Sequence, residues 1–545
     1  MNVAEFVGRT LGKLGVARAF GVVGSGNFEM TNALRAEGVE FVAARHECGA
    51  ATMADAYSRM SGRLGVVSTH QGPGLTNALT GIAEAAKSRT PLLVLTGDTA
   101  AAAIRSNFRI AQDAAVSAVG AVAERVYSAE TAEADTMRAV RTVMFERRTV
   151  VLNLPLDVQR QPAPTVSHGI VPKPYASQAI RPGPSDVKGL AEFIATAERP
   201  VFLAGRGARN AGPELRELAA AAGALLATSA VANGLFSGDP WSLGISGGFA
   251  SPLAAELISN ADMLVAWGCS LNMWTTRHGK LINPRTLVAQ VDLDASALGA
   301  HRVVPIGVVG DVAQTARDVL AELEPRTGYR TEAVRARIAE SVRWRDVPFE
   351  EASTAERIDP RRLSILLDDL LPTQRIVAVD SGNFMGYPSA YLSVPDERGF
   401  CFTQAFQSIG LGLATAIGAA LAQPDRLPVA ALGDGGCLMS IAELDTAVRL
   451  GLPLVIVVYN DEAYGAEVHH FGPDGADLTT VQFPETDIAA IARGFGCNAA
   501  TIRAPSDLAH LTDWLAGPRD RPLLLDAKIT SDGGSWWLAE AFRGH

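Results

Sequence analysis

Short apolar runs of four to six residues recur along the chain, bounded by Gly, Pro or Asp and separated by longer Ala- and Leu-rich stretches with helical spacing. Runs this short and continuous predict strands buried on both faces, and their alternation with helices predicts parallel sheets. The predicted strands include Gly65–Ser68, Leu92–Thr96, Val150–Leu154, Pro200–Ala204, Met263–Trp267, Val288–Val291, Ile376–Val379, Val429–Leu432 and Leu454–Tyr459, and a helix is predicted over Ala50–Met60. Because they span the whole length, the expected class is α/β, with parallel sheets flanked by helices.

Two segments interrupt the alternation. Gln161 to Pro184 is rich in Pro, Ser and Gln and reads as an inter-domain linker, and the charged stretch Arg343 to Pro360 is broken by Pro348 and Pro360. A chain of 545 residues exceeds what one core organises, so three domains are expected near 1–160, 185–340 and 358–532, with a linker over 161–184 and a tail over 533–545. The first and third have room to share a fold.

Composition narrows the function. A formal net charge of −10 lacks the electrostatic footprint of a nucleic-acid binder, so small-molecule chemistry is expected. The five cysteines, Cys48, Cys269, Cys401, Cys437 and Cys497, form no C-x-x-C pair and no even framework, which suits a reducing compartment. The N-terminus carries Glu5 and Arg9 where a signal core would be apolar, and the apolar stretch Gly410 to Ala422 is too short and Gly-rich for a membrane span. A soluble cytoplasmic protein is expected.

The sharpest local feature is Gly433-Asp434-Gly435-Gly436, directly after the apolar run Val429–Leu432. A second strand, Leu454–Tyr459, then ends in Asn460, 26 positions beyond Asp434. Loops at the carboxyl ends of parallel strands are where open α/β sheets bind ligands, and glycines there let backbone N–H groups approach phosphate. Alone, a Gly-Asp-Gly tripeptide is an ordinary turn. With Asn460 at this spacing it resembles the thiamine-diphosphate motif of the pyruvate decarboxylase, acetolactate synthase and benzoylformate decarboxylase superfamily.

The resemblance implies a diphosphate-binding third domain, in which Asp434, Asn460 and the backbone carbonyl of Glu462 hold Mg²⁺ against the diphosphate of thiamine diphosphate. Hard oxygen ligands of this kind suit that ion. Gly382, Asn383, Gly433, Gly435, Gly436, Tyr464 and Gly465 would line the same cofactor. Gly382-Asn383-Phe384 departs from the Gly-Gln-His of acetolactate synthases at this turn. Ile409 falls at the wedge that bends the cofactor, and Gln407 would offer its carbonyl to the cofactor amino group.

Arg45-His46-Glu47, with Gly65 to Asn77 beyond it, is similar to the pyrimidine-binding domain of the superfamily. Glu47 would hydrogen-bond the pyrimidine ring and let the cofactor act as its own base, a role that calls for an enclosed carboxyl. Leu154-Pro155-Leu156-Asp157-Val158 resembles the end of that domain, and Gly205-Arg206-Gly207 the first turn of a Rossmann-like central domain. This last turn is too short to decide for or against FAD, which is not predicted. Because the family builds each site from two subunits, a homodimer or homotetramer is implied.

The reaction depends on fewer residues. Ser25 and His70 fall where benzoylformate decarboxylase has an active-site Ser and His, and Glu467 where pyruvate decarboxylase has an acid/base Glu; all three suit decarboxylation of a 2-oxo acid followed by protonation. Gln112-Asp113 resembles the Gln-Glu pair of acetolactate synthases and points to carboligation. The adjacent histidines that pyruvate decarboxylases carry in the loop of Gln112-Asp113 are missing. His470 stands where acetolactate synthases have a Trp, and His278 is a candidate second histidine of a benzoylformate decarboxylase site. The leading expectation is a decarboxylase for an aromatic or branched 2-oxo acid with some carboligase capacity. An acetolactate-synthase-like or 2-hydroxyacyl-CoA-lyase-like carboligase acting on an oxo acid or aldehyde is the alternative, and a catalytically silent scaffold or regulatory subunit is the reading from another class.

Overall fold

The structure, a computed structural model, describes residues 1–163 and 179–531 together with Trp537. Most of the 161–184 linker and of the 533–545 tail lies outside the described residues.

Each of the three expected domains is a six-stranded sheet in which every pairing is parallel. The first sheet comprises β1 (Arg18–Gly21), β2 (Glu40–Ala43), β3 (Gly65–Thr69), β4 (Leu92–Asp98), β5 (Val122–Arg125) and β6 (Thr149–Pro155), in the order β2-β1-β3-β4-β6-β5. The third comprises β13 (Arg375–Val379), β14 (Phe400–Phe402), β15 (Leu427–Gly433), β16 (Val455–Asn460), β17 (Asn498–Ile502) and β18 (Leu523–Lys528). Its order, β14-β13-β15-β16-β18-β17, repeats that of the first, so the two outer domains share one topology.

The central sheet is built differently. Its strands β7 (Pro200–Ala204), β8 (Leu225–Thr228), β9 (Ser242–Ile245), β10 (Met263–Trp267), β11 (Leu287–Asp292) and β12 (Ile306–Val309) run β12-β11-β10-β7-β8-β9. This is the doubly wound dinucleotide-fold order, with its switch point between β7 and β10. There the N–H groups of Gly205 and Gly207 donate to the carbonyls of Trp267 and Gly268 at 2.9 and 3.0 Å, so the two turns are laced together. The first turn of this domain therefore has those two donors already engaged.

All nine predicted strands are strands, and the predicted Ala50–Met60 helix runs over Glu47–Ser61. That helix packs on the Gly412–Ala422 helix of the third domain. One apolar core runs through both, joining Met53, Ala54, Leu75 and Ile82 to Leu413, Ile417, Ala430 and Leu444. The crossing is close enough that a side chain on Gly418 would collide with the Met53 carbonyl. The central domain has two apolar clusters of its own.

Candidate active site

The carboxyl ends of β15 and β16 lie side by side, with Gly433 opposite Tyr459 in the parallel register. β15 ends at Gly433, and the short helix Asp434–Ser440 starts at once, so Asp434 stands at the strand end as predicted. Gly436 must lack a side chain, because a Cβ there would meet the Asp380 carboxylate. A pocket of about 280 Å³ opens here, lined among others by Asp434, Gly435, Asn460, Glu462 and Tyr464.

The donor set in this pocket suits a hard divalent cation held jointly with phosphate oxygens. Asp434 shares a hydrogen bond with Asp461, a residue the sequence reading missed although it adjoins Asn460. Burial pushes both carboxyls above their ordinary values, and at Asp461 the Asp434 charge adds to the effect. Asn460, 1% exposed, donates from Nδ2 to Asp526 at 2.8 Å and accepts from the Glu462 N–H at 3.1 Å, so its oxygen faces the loop. Among the described residues no group of three or more His, Cys, Asp or Glu side chains could hold a metal, so a cation here needs oxygens from elsewhere.

Backbone conformation marks the same loop. Glu462 has φ +58° and Gln407 φ +62°, two of eight non-glycine residues with positive φ among those described. These are the two residues whose carbonyls the sequence assigned to metal and cofactor, and left-handed backbone outside glycine is a strain that functional sites tend to hold. The Glu462 carbonyl also accepts from the Phe483 N–H at 2.8 Å, which leaves it one lone pair for a cation. Gly382 takes φ +137°, and the Asn383 carbonyl accepts from the Trp537 indole at 3.0 Å. Tyr464 packs edge-on against Phe483, and Gly465 sits against Asn383.

The segment carrying Gln407 and Ile409 is tied at both ends. The Glu84 carboxylate of the first domain accepts from Ala405 and Phe406 N–H groups at 3.2 and 2.7 Å. Arg59 holds Glu84 at 2.9 Å and Asp55 at 2.6 Å, all three side chains being nearly inaccessible. At the other end Asp380 accepts from Gly410 and Leu411 at 3.0 and 3.1 Å. Ile409 between them is 38% exposed, as the wedge role requires of a residue that must touch a ligand. Neither Glu84 nor Asp380 was singled out from sequence; Asp380, an acid at a strand end before Ser-Gly, carried the stronger signal.

The first domain brings a second set together. Ser25 Oγ lies 3.3 Å from His70 Nε2, while His70 Nδ1 is 2.8 Å from the Gln71 carbonyl. A carbonyl can only accept, so Nδ1 carries the proton and neutral Nε2 offers its lone pair to the Ser25 hydroxyl. Glu47 opens its helix nearby: a Cβ on Gly74 would lie 3.1 Å from His70 Cβ and 3.4 Å from Glu47 Oε1. Asn77 donates to Glu47 at 3.0 Å.

In the single chain Glu47 is half-buried, and the pocket at Asp434, lined by third-domain residues alone, does not reach it. Gln112, expected to hold a substrate carbonyl, is 2% exposed and fully used: Oε1 accepts from Gly72, and Nε2 donates to Gly97 and Asn153. It shapes the Gly72 turn instead. His278 lies in the central domain in a left-handed turn, its N–H closed on Met273, and belongs to neither set. Glu467 and His470 are on the Gly465–Phe471 helix beside the pocket, Glu467 half-buried and His470 exposed with its ring against Phe471. No helix of the described residues is long and apolar enough to cross a membrane.

Comparison with known families agrees with this division of the chain. The N-terminal TPP binding domain of thiamine pyrophosphate enzymes matches residues 1–118, their central domain 187–319, and their C-terminal TPP binding domain 380–527. A sulfoacetaldehyde acetyltransferase of Alcaligenes xylosoxydans xylosoxydans is 30% identical over 83% of this chain and 80% of its own. A probable 2-ketoarginine decarboxylase of Pseudomonas aeruginosa is 30% identical over 94% and 90%, and a probable acetolactate synthase large subunit of Methanocaldococcus jannaschii 27% identical over 97% and 92%. With all three domain models matched in the family's order, the chain belongs to the thiamine-pyrophosphate-dependent enzymes.

Proposed function

We propose that this enzyme decarboxylates an aromatic or branched 2-oxo acid without oxidation, releasing carbon dioxide and an aldehyde. The observation that carries the reading is the Ser25–His70 pair, 3.3 Å apart and next to Glu47. Bound thiamine diphosphate supplies the nucleophilic carbon that adds to the substrate carbonyl and takes up its electrons. Asp434, Asn460 and the Glu462 carbonyl would hold Mg²⁺ against its diphosphate, and Gln407 and Ile409 would set its bend.

The chain's own groups orient and move protons. The Ser25 hydroxyl turns from His70 Nε2 to the substrate carboxylate and fixes the bond that breaks. His70, once protonated, delivers the Nε2 proton to the carbon that loses carbon dioxide, while its Nδ1–H stays on the Gln71 carbonyl and keeps the ring aligned. Glu467 holds a second proton on the third-domain side. Glu47 keeps its carboxyl on the pyrimidine side, which requires the Asp434 pocket of another copy to cover it; the working unit is then a homodimer or a dimer of dimers. Five unpaired cysteines, four of them buried, fit a reducing cytoplasm.

The test is incubation of the purified chain with thiamine diphosphate, Mg²⁺ and a panel of 2-oxo acids including benzoylformate. Carbon dioxide and free aldehyde should appear in equal amounts. His70→Ala should cost about 10²- to 10⁴-fold in kcat, and Glu47→Gln should keep cofactor binding while removing turnover. Absence of carbon dioxide across the panel would sink the proposal. Acyl transfer or carboligation is the second reading, favoured by the relatives named as acetyltransferase and acetolactate synthase; it predicts that the aldehyde fragment is retained and handed to an acceptor.

A further inference from the structure

Two strands of the third sheet bring a buried ion pair behind the predicted metal site. β16 and β18 run in parallel with Val458 opposite Asp526 and Asn460 opposite Lys528. Side chains two apart on a strand share a face, so Asp526 and Lys528 both reach the side where Asn460 ends β16. Asp526 is 0% and Lys528 1% exposed, on an inner strand flanked by β16 and β17. A buried ion pair is weak as a stabilising device, since desolvation offsets most of its attraction. Its position suggests another use.

We propose that Asp526 is a positioning residue for the metal: it selects which end of the Asn460 amide faces the pocket, and Lys528 holds Asp526 in the geometry that does so. The inference rests on the Mg²⁺ site of the proposed function. Asp526 Oδ1 accepts from Asn460 Nδ2 at 2.8 Å, a fully buried hydrogen bond. An ionised carboxylate accepts only, so a flipped Asn460 would set two acceptors against each other there and two donors against each other at the Glu462 N–H. Both neighbours therefore demand the same orientation, with the amide oxygen toward Asp434 and the diphosphate turn. Lys528 Nζ lies 3.2 Å from Asp526 Oδ2, which has no hydrogen-bond partner of its own. Nζ also donates to the Thr486 carbonyl at 3.2 Å, so the ammonium is itself fixed. Ligands oriented from behind in this way bind metal more tightly than the same ligands left free to rotate.

The experiment separates metal affinity from turnover. Mg²⁺ is titrated by calorimetry into the full chain with thiamine diphosphate saturating, for the wild type, Asp526→Asn, and the double variant Asp526→Leu/Lys528→Met. The double variant removes both charges together, so no lone ammonium is left buried. Its Mg²⁺ dissociation constant should rise about 10- to 100-fold, while kcat returns to the wild-type value at saturating Mg²⁺. Asp526→Asn should show a rise in the same direction and serves as the reading if the double variant does not fold. An unchanged Mg²⁺ constant in a folded variant overturns the inference, as does a loss of kcat that saturating Mg²⁺ fails to restore. A wild type that takes up no Mg²⁺ with thiamine diphosphate overturns the proposed metal site as well, which is a distinct outcome.

Discussion

Replacing Glu443 should weaken the fold and disable Glu47 together. Glu443 opens the Glu443–Arg449 helix of the third domain, is 2% exposed, and reaches across to the first domain. Its Oε1 accepts from the N–H groups of His46 and Arg45 at 3.0 and 3.1 Å, and its Oε2 from the Thr446 hydroxyl at 2.6 Å. Glu47 is the next residue along. Glu443→Ala strands the two backbone donors in a partly buried turn, at about 1–3 kcal/mol each. The sum, about 2–6 kcal/mol, should lower the melting temperature by at least about 4 °C in a domain of this size. The nearby Arg45–Asp445 pair is too exposed to compensate.

Activity should suffer more than stability does, because a displacement of about 1 Å at a catalytic group costs on the order of 10²-fold in rate. Glu443→Gln is the control. Burial pushes the Glu443 carboxyl above its ordinary value, so a neutral amide is less costly to enclose, and its oxygen still serves both N–H groups. The Gln variant should therefore lose less than about 1 kcal/mol. Calorimetric melting at neutral pH with cofactor present, alongside turnover, distinguishes the two. An Ala variant that melts with the wild type, or a Gln variant as damaged as Ala, would refute the reasoning.

Asp380 should impose a pH dependence of its own. Burial raises its carboxyl from 3.8 to about 6, against the N–H groups of Ser381, Gly410 and Leu411. The native state therefore keeps a proton that the unfolded chain has released, and this contribution to stability is full below about pH 4 and lost as pH rises through about 6. Urea denaturation across that window should show the wild type losing stability relative to Asp380→Asn as pH rises, and equal slopes would exclude the assignment. Gln112→Leu should cost about 2–6 kcal/mol through the Gly72 N–H and the Asn153 amide oxygen it leaves unpaired. The ratio of free aldehyde to ligated product should stay unchanged; a stable variant with an altered ratio would return Gln112 to the substrate.

The fold was legible where a strand is an unbroken apolar run; β18, just as buried, carries Asp526 and Lys528 and was not among the predicted strands. β7 and β10, which predict themselves residue for residue, lie beside each other at the centre of their sheet and are apolar throughout. Edge strands were not legible: β2 and β12 carry mixed burial, β5 is half-buried throughout, and a four-residue run such as Val122–Arg125 has no period to read. The Asp434 turn was legible because its glycines and acid sit directly after an apolar strand. The site's supports were not, since Glu84, Glu443 and Asp526 act from sites 321, 397 and 66 positions away along the chain from the groups they bind. The buried contacts of Gln112 were hidden for a related reason. A glutamine beside an acid looks alike in sequence whether its amide meets a substrate or three buried backbone and side-chain groups.

The shared core at the Met53–Gly418 crossing bears on how such a protein can be rebuilt. The two outer domains meet helix against helix with no room for a methyl group, so a graft of either one from a relative brings a foreign ridge to an unmatched groove. The central domain keeps two apolar clusters to itself but also sends Ile245 and Phe249 into the third domain's core, where Phe249 packs edge-on against Phe402. A chimera inherits a finished interior only where both sides of each seam, Met53 with Gly418 and Phe249 with Phe402, come from the same parent.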